Sequence, residues 1–275
     1  MKQVKSVGLL MALGLITTLG ACSSDSTTEA GREQPESSPR VTSPAVEGGE
    51  GGEGGEEGAA LSTDADVNYM VTLGLMKGHL IVAKELLDQG KHQEAEPHIG
   101  HPVEELYGDI EAELPDRNVA DFKGNLNQLH DLVKSKPTDP QVVKLYTEAM
   151  QKVDGAIAAL PADKRTSPQF VVESINGILA VAGEEYVAAI ADNKFVELVE
   201  YQDSRGFVLY ATELYETVAE QVAQSNPQVD QSLKKHLAEL ARAWPSVNPP
   251  DTPILPPPQV QEQITQFKTA AQQLT

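Results

Sequence analysis

Apolar side chains recur at intervals of three and four residues from about residue 64 to the end of the chain. This spacing gathers them on one face of an α-helix, whereas a strand would alternate apolar and polar residues. No alternating run is long enough to predict a strand. We therefore predict an all-α protein, a helical bundle whose amphipathic helices bury their apolar faces against one another.

Prolines and glycines divide this pattern into separate helices. The first helix carries an apolar stripe through Leu75, Val82 and Leu86 and ends near Gly90. The other helices are predicted over 102–114, 120–134 and 139–160, around 175–189, 207–222 and 233–240, and over 260–274. The stretch from Pro245 to Pro258 contains seven of the 18 prolines, which predicts an extended strap before the closing helix.

The first 64 residues do not follow the helical pattern. Lys2 and Lys5 precede an apolar run that is typical of a signal peptide, predicted over 1–21. Residues 23–64 are mostly Ser, Thr, Pro, Gly and Glu without apolar periodicity. Such a segment cannot bury enough apolar area to offset its ordering entropy, so we predict a disordered tether.

The signal peptide ends in Leu19-Gly20-Ala21-Cys22, which resembles the lipobox of bacterial lipoproteins. This resemblance implies cleavage before Cys22 and attachment of lipid to its sulfur, so the tether segment is 22–64. It also implies a lipid-anchored protein of the cell envelope, on the periplasmic or outer face of a membrane. Because Cys22 is the only cysteine, the chain can form no internal disulfide.

The predicted body divides into two helical subdomains, 65–162 and 163–245, followed by the strap and closing helix over 246–275. The whole chain has a formal net charge of −20, of which −14 falls on residues 65–275. So acidic a chain argues against nucleic acid as a partner, because phosphate contacts need clustered Lys and Arg.

Four of the six histidines lie within 23 residues, with glutamates among them. His79 falls in the apolar stripe of the first helix, so it points inward. A helix through this segment would be interrupted at Pro97, Gly100 and Pro102. We therefore predict a turn from His98 to His101, with a new helix beginning at Pro102. A turn over His79 would bring imidazoles and carboxylates together. The candidate ligands of a transition metal, iron, zinc or copper, are His79, His98, His101 and Glu105.

A structural interpretation of the same residues stays open. In it His79 is a hydrogen-bonded core residue, His98 and His101 cap a helix, and Glu105 belongs to a solvated first turn. A third possibility is haem binding by Met76 and His79. No His-Glu-x-x-His or Glu-x-x-His motif occurs, and no nucleophile is paired with a base, so we predict that the protein is not an enzyme.

A second candidate segment runs from about 175 to 218. It contains a tyrosine-bearing helix, an Asp-Asn-Lys turn and the sequence Glu200-Tyr-Gln-Asp-Ser-Arg-Gly-Phe207. The order of these features resembles the extracytoplasmic helical segment of some members of the bacterial high-affinity iron permease family. The resemblance implies a cell-envelope setting and an iron-related role. Glu185, Glu200 and Asp203 are possible ligands of a second cation site, whereas Tyr186 and Tyr201 could simply tie the two helices together.

Gly100-His101-Pro102-Val103-Glu104 also resembles the Gly-x-His-x-x-Glu motif of imelysin-like envelope proteins. The preferred hypothesis is therefore a lipid-anchored helical protein that binds a transition metal, in metal uptake or buffering. The alternative is a non-catalytic lipoprotein that docks on a membrane-protein partner such as a transporter. Coordination by neutral imidazole predicts that metal affinity falls below about pH 6.

Overall fold

The computed structural model describes residues 62–274, and this part of the chain is predominantly helical with almost no strand, which confirms the all-α bundle. The predicted signal peptide, the lipidation site Cys22 and the tether up to residue 61 lie outside the described residues. The helices are α1 (Ala65–Asp88), α2 (His92–His101), α3 (Tyr107–Glu111), α4 (Lys123–Ser135), α5 (Gln141–Ala158), α6 (Ala162–Arg165), α7 (Pro168–Ala188), α8 (Leu198–Glu216), α9 (Ala219–Ser225), α10 (Pro227–Ala241) and α11 (Pro257–Ala271).

Helix α1 is the central element, and it packs against α2, α5, α7 and α8. The Asp64 side chain caps its first turn by accepting a hydrogen bond from the Asp66 amide at 2.9 Å. Gly90 follows its last turn with φ of 73°, a left-handed conformation that glycine adopts without strain. The predicted end of this helix is therefore confirmed. Most of its length is buried, as its run of apolar residues requires.

The predicted turn from His98 to His101 is wrong. Helix α2 continues through Pro97 and His101, and a π-helical turn over Pro102–Leu106 joins it to α3. Pro102 has no N–H to donate, and the wider π-helical turn accommodates the interrupted hydrogen-bond ladder. Gly100 serves packing and does not break the helix, because a Cβ there would lie 3.1 Å from the His130 ring of α4.

A short hairpin joins α7 to α8 through β1 (Ile190–Ala191) and β2 (Lys194–Phe195), which pair antiparallel. Its two turn residues, Asp192 and Asn193, have φ of 50° and 58°. A two-residue hairpin turn with positive φ at both positions matches the twist of the strands, and Asn tolerates this conformation. The Asp-Asn-Lys turn of the sequence is therefore this hairpin turn, with Asn193 in the left-handed conformation.

Asn193→Val is expected to destabilise the protein by about 1–2 kcal/mol, because a β-branched residue is strained at positive φ. Asn193→Gly keeps the turn and should change the free energy of unfolding by less than about 0.5 kcal/mol. Urea unfolding followed by circular dichroism measures both variants. Equal stability of the Val and Gly variants would contradict the turn geometry.

The closing helix α11 packs against α7 and α10, as predicted. The proline-rich segment before it runs from residue 242 to 256 without regular structure and is tied to the bundle by tyrosines. Tyr186 donates to the Leu255 carbonyl and Tyr201 to the Ser246 carbonyl, both at 2.8 Å. Both rings also pack edge-on against Phe195. The two tyrosines therefore hold the hairpin and the strap against the bundle.

Candidate metal centre

Two glycines let α1 and α8 cross at very short range. A methyl group on Gly206 would fall on the Gly78 carbonyl, within 2.7 Å of its carbon, and one on Gly78 would lie 2.9 Å from the Phe207 amide nitrogen. Only residues without a Cβ allow this approach of two helix backbones. The crossing brings His79, next to Gly78, to Asp203, which lies one turn before Gly206.

Asp203 is the centre of a cluster that three histidines share. Its Oδ1 lies 2.6 Å from Nδ1 of His79 and 2.6 Å from Nδ1 of His98, and its Oδ2 lies 3.3 Å from Nδ1 of His101. Helix α1 supplies His79, α2 supplies the other two histidines, and α8 supplies the carboxylate. Across residues 62–274, these four are the one set of three or more potential ligands whose donor atoms converge, all within 4.8 Å of one another.

The side chains of the cluster are buried and interact electrostatically. Asp203 is 2% exposed, and the three histidines are also buried. Burial by itself raises the pKa of a carboxyl group, but positive charge on His79 and His98 and hydrogen bonds from the histidines hold the pKa of Asp203 well below its usual range. Burial works to lower the pKa of His101, yet the negative charge of the neighbouring Asp203 raises it.

Gln202 fixes the orientation of the His98 ring. The Gln202 amide nitrogen donates to Glu94 Oε2 at 3.2 Å and to the Val247 carbonyl at 3.3 Å. Because both of these partners only accept, the amide oxygen of Gln202 must be the atom that faces His98 Nε2, at 2.8 Å. His98 Nε2 therefore carries a proton and donates it to Gln202.

The hydrogen bond between His98 Nε2 and Gln202 determines which ring nitrogen of His98 faces Asp203 and whether that nitrogen carries a proton. When His98 is neutral with its proton on Nε2, its Nδ1 lone pair faces the carboxylate oxygen 2.6 Å away. Two lone pairs at that distance repel, so a positive charge must balance them: either a second proton on His98 or a metal ion that contacts both atoms. Two ligands of one metal lie roughly 2.9–3.4 Å apart when each bond is about 2.0–2.1 Å. An increase of less than about 1 Å in the distance between His98 Nδ1 and Asp203 Oδ1 would therefore let one metal ion bind both atoms.

Three of the four predicted metal ligands meet in this cluster. The fourth, Glu105, lies beside it, with Oε1 at 3.9 Å from His101 Nε2. The predicted second cation site is not assembled: Asp203 belongs to the histidine cluster, and the converging set includes neither Glu185 nor Glu200. The structure thus places Asp203 with the three histidines.

Sequence reasoning missed Gln202 as a partner of His98 and Asp203 as the partner of all three histidines. Their signal was present but weak. Gly78 adjoins His79, and Gly206 follows Asp203 by three positions in a predicted helix. Glycine is unfavourable inside a helix, so a glycine beside a candidate ligand in each of two helices indicates a close helix crossing there.

Comparison with known proteins supports the predicted family resemblance. Residues 161–275 match the model of the iron permease-associated 4-helix bundle domain, which confirms the resemblance to the iron permease family in this part of the chain. The match covers less than half of the chain. It includes Gln202 and Asp203, whereas the three histidines precede it. No curated protein and no solved structure matches the chain.

Among residues 62–274, no helix is both long enough and apolar enough to span a bilayer.

Proposed function

We propose that this protein binds one transition-metal ion through His79, His98, His101 and Asp203, as part of iron or other metal handling at the cell envelope. The observation that carries the proposal is the convergence of the four donor atoms within 4.8 Å of one another, with Gln202 positioned to hold His98 Nε2 so that Nδ1 faces the Asp203 carboxylate. Metal-bound histidines commonly donate their second ring N–H to an oxygen acceptor in this way. The iron permease-associated domain supports iron as the physiological metal.

The chemistry of the donor set limits the metal. Three imidazoles with one carboxylate suit iron, zinc or copper, whereas calcium and magnesium prefer an all-oxygen shell. Glu105 is close enough to His101 to serve as a further ligand after a small movement. Because the donor residues are buried on every side, the site suits holding or carrying a metal and not catalysis, so we infer a non-enzymatic role.

The proposal is tested by titrating the full chain with Fe²⁺, Zn²⁺ and Cu²⁺ in a calorimeter. We expect one site per chain, and the double variant His79→Ala/His98→Ala should lose it. The matched control is His130→Ala/His236→Ala, which removes two histidines outside the cluster and should bind like the wild type. If no metal binds more tightly than about 100 µM, the proposal is wrong.

Gln202→Leu is expected to weaken metal binding by about 10- to 100-fold while the fold survives, because the oxygen that orients His98 is lost. Gln263→Leu is the matched control. It removes a comparable bond, in which Gln263 Oε1 lies 2.9 Å from His236 Nδ1. A competition assay with a coloured chelator compares the affinities of both variants. An equal loss of metal affinity in Gln202→Leu and Gln263→Leu would contradict a role of Gln202 in orienting His98 for metal binding.

Attachment to a membrane through a lipid on Cys22 is part of the proposed function. Membrane fractionation of cells that produce the wild type and Cys22→Ser tests it, since the variant should move to the soluble fraction. The partner we propose is a membrane transporter, in keeping with a domain that accompanies iron permeases. If the His79→Ala/His98→Ala variant folds and retains full function in cells, the protein is instead a docking module without a metal role.

Haem binding by Met76 and His79 receives less support than metal binding. Met76 is fully buried in the hydrophobic core, and His79 is fully buried with its Nδ1 at 2.6 Å from Asp203. A porphyrin would need an open slot beside these two side chains. Addition of haemin to the full chain should therefore produce no Soret band of a ligated haem.

A further inference from the structure

A second feature of the fold, separate from the metal centre, is a cavity of about 330 Å³ between α1, α5, α7 and α8. Its apolar wall is formed by Met70, Ile157, Phe170, Val171 and Leu214. This volume falls at the lower end of the range of about 300–1,000 Å³ that small-molecule pockets have, so a ligand of roughly ten non-hydrogen atoms suits it.

Two buried polar side chains line this cavity. Lys77 is 7% exposed and Tyr210 is 5% exposed, and the Lys77 ammonium lies 5.8 Å from the centre of the Tyr210 ring. Lys77 donates a hydrogen bond to Asp154 Oδ1 at 2.7 Å. Within residues 62–274 that is its one hydrogen bond, so two of its three N–H groups have no acceptor.

The Tyr210 hydroxyl likewise has no hydrogen-bond partner among the described residues. Burial raises the pKa of Tyr210, and the nearby charges of Asp154 and Glu213 add to the effect, so the hydroxyl keeps its proton. A ligand that brings an acceptor to these donors forms hydrogen bonds in a largely apolar pocket, where such bonds are stronger than in water. The lining of the cavity therefore includes two hydrogen-bond donors, the Lys77 ammonium and the Tyr210 O–H.

The buried charge of the cavity determines which acceptor fits it. Two positive groups, Lys77 and Arg165, and two negative ones, Asp154 and Glu213, line the cavity, and Lys77 is the buried member of the four. Asp154, the partner of Lys77, is 56% exposed, so it can turn towards solvent when another anion takes its place. A carboxylate accepts hydrogen bonds with both oxygens and pairs with an ammonium, which matches the two donors.

We propose that this cavity is a binding site for a small apolar monocarboxylic acid, whose carboxylate contacts Lys77 and Tyr210 and whose hydrocarbon part lies against the apolar wall. The site lies along the same seam between α1 and α8 as the metal centre, because Tyr210 follows Asp203 by seven residues. Two helical turns separate them, about 10 Å along the axis. The two sites use different side chains, so either can exist without the other.

The test is calorimetric titration of the metal-free full chain with octanoate, octanol and octylamine, three probes that share an eight-carbon chain. We expect saturable binding of one octanoate per chain with Kd below about 1 mM, at least tenfold tighter than octanol or octylamine. Tighter binding of octylamine, or no binding of octanoate at 5 mM, a concentration about five times that limit, would overturn the proposal.

Lys77→Met keeps the aliphatic stem and removes the ammonium, and it should weaken octanoate binding by about 10- to 100-fold. Lys84→Met, on the same helix but paired with Asp88 at the surface, is the control and should bind like the wild type. If Lys77→Met does not fold, Tyr210→Phe decides the question, with an expected loss of about 3- to 10-fold. The proposal would be overturned if folded Lys77→Met bound octanoate with wild-type affinity. If Lys77→Met does not fold, wild-type octanoate affinity of Tyr210→Phe would overturn it.

Discussion

Gly206→Ala is expected to destabilise the protein by about 3 kcal/mol and to abolish metal binding. The new methyl group would fall on the backbone carbonyl of Gly78, within 2.7 Å of its carbon. A backbone cannot move aside as a flexible side chain can, so α1 and α8 must separate. That separation draws His79 away from Asp203, because each of them lies within one turn of the crossing.

Gly155→Ala provides the matched control for this substitution. Gly155 lies inside α5, and a Cβ there would have no neighbour within 4 Å. Alanine should therefore stabilise the protein by about 0.5–1 kcal/mol, because it restricts the unfolded chain and favours the helix. Chemical denaturation and metal titration of both variants measure the two effects. A Gly206→Ala variant that binds metal normally would contradict the close crossing.

Asp203→Asn is expected to lower the affinity for a divalent metal by at least about 100-fold, and to cost about 3 kcal/mol of stability without metal. Asp203 supplies the one negative charge among the four converging ligands. Without it, a divalent ion would bring its charge into a buried site that holds only three neutral imidazoles. The metal-free protein would also lose the carboxylate that its histidines share.

The stability effect of Asp203→Asn should depend on pH. Because the folded protein holds the pKa of Asp203 well below that of the unfolded chain, ionised Asp203 contributes stability above about pH 3.8, the usual pKa of Asp. This contribution is lost as the pH falls further, through the folded-state pKa. Urea unfolding of chelator-treated protein at pH 7 and at pH 3 should show a large difference between variant and wild type at pH 7 and a smaller one at pH 3.

The control for this second prediction is Asp131→Asn on the exposed face of α4. It removes the same charge at the surface and should change the free energy of unfolding by less than about 0.5 kcal/mol at either pH. A difference between Asp203→Asn and wild type that stays constant from pH 7 to pH 3 would show that Asp203 acts through packing and not through its charge.

The sequence was sufficient for the helices whose apolar periodicity is uninterrupted. The first helix, its end at Gly90 and the closing helix were predicted because hydrophobic spacing and helix-ending residues depend on neighbours in the chain. Helix α2 was predicted wrongly because Pro97, Gly100 and Pro102 are helix breakers in isolation. Contact of Gly100 with His130 and the π-helical turn that accommodates Pro102 depend on packing that local sequence does not contain.

The candidate site was predicted only in part for the same reason. His98 and His101 are close in sequence, and His79 lies on the inward face of α1, so their proximity could be inferred. Asp203 lies more than 100 residues later, and a crossing of two glycine-containing helices brings it to them. Long-range pairing of this kind is set by the packing of the whole bundle.

The cluster also combines two parts of the chain with different resemblances. Asp203 and its neighbour Gln202 fall within the iron permease-associated domain, whereas α1 and α2 contribute the histidines from before it. The matched domain alone therefore lacks three of the four converging ligands. A protein with this domain but without the preceding helices should not form the proposed metal centre.

X-ray absorption spectroscopy of the metal-loaded full chain tests the metal centre most directly. With zinc, we predict three imidazole nitrogens and one carboxylate oxygen at about 2.0–2.2 Å, with the outer-shell scattering of histidine rings. The imidazole signal should disappear in His79→Ala/His98→Ala and persist in His130→Ala/His236→Ala. A shell of oxygen atoms without imidazole, or an unchanged spectrum in the first double variant, would contradict the proposed site.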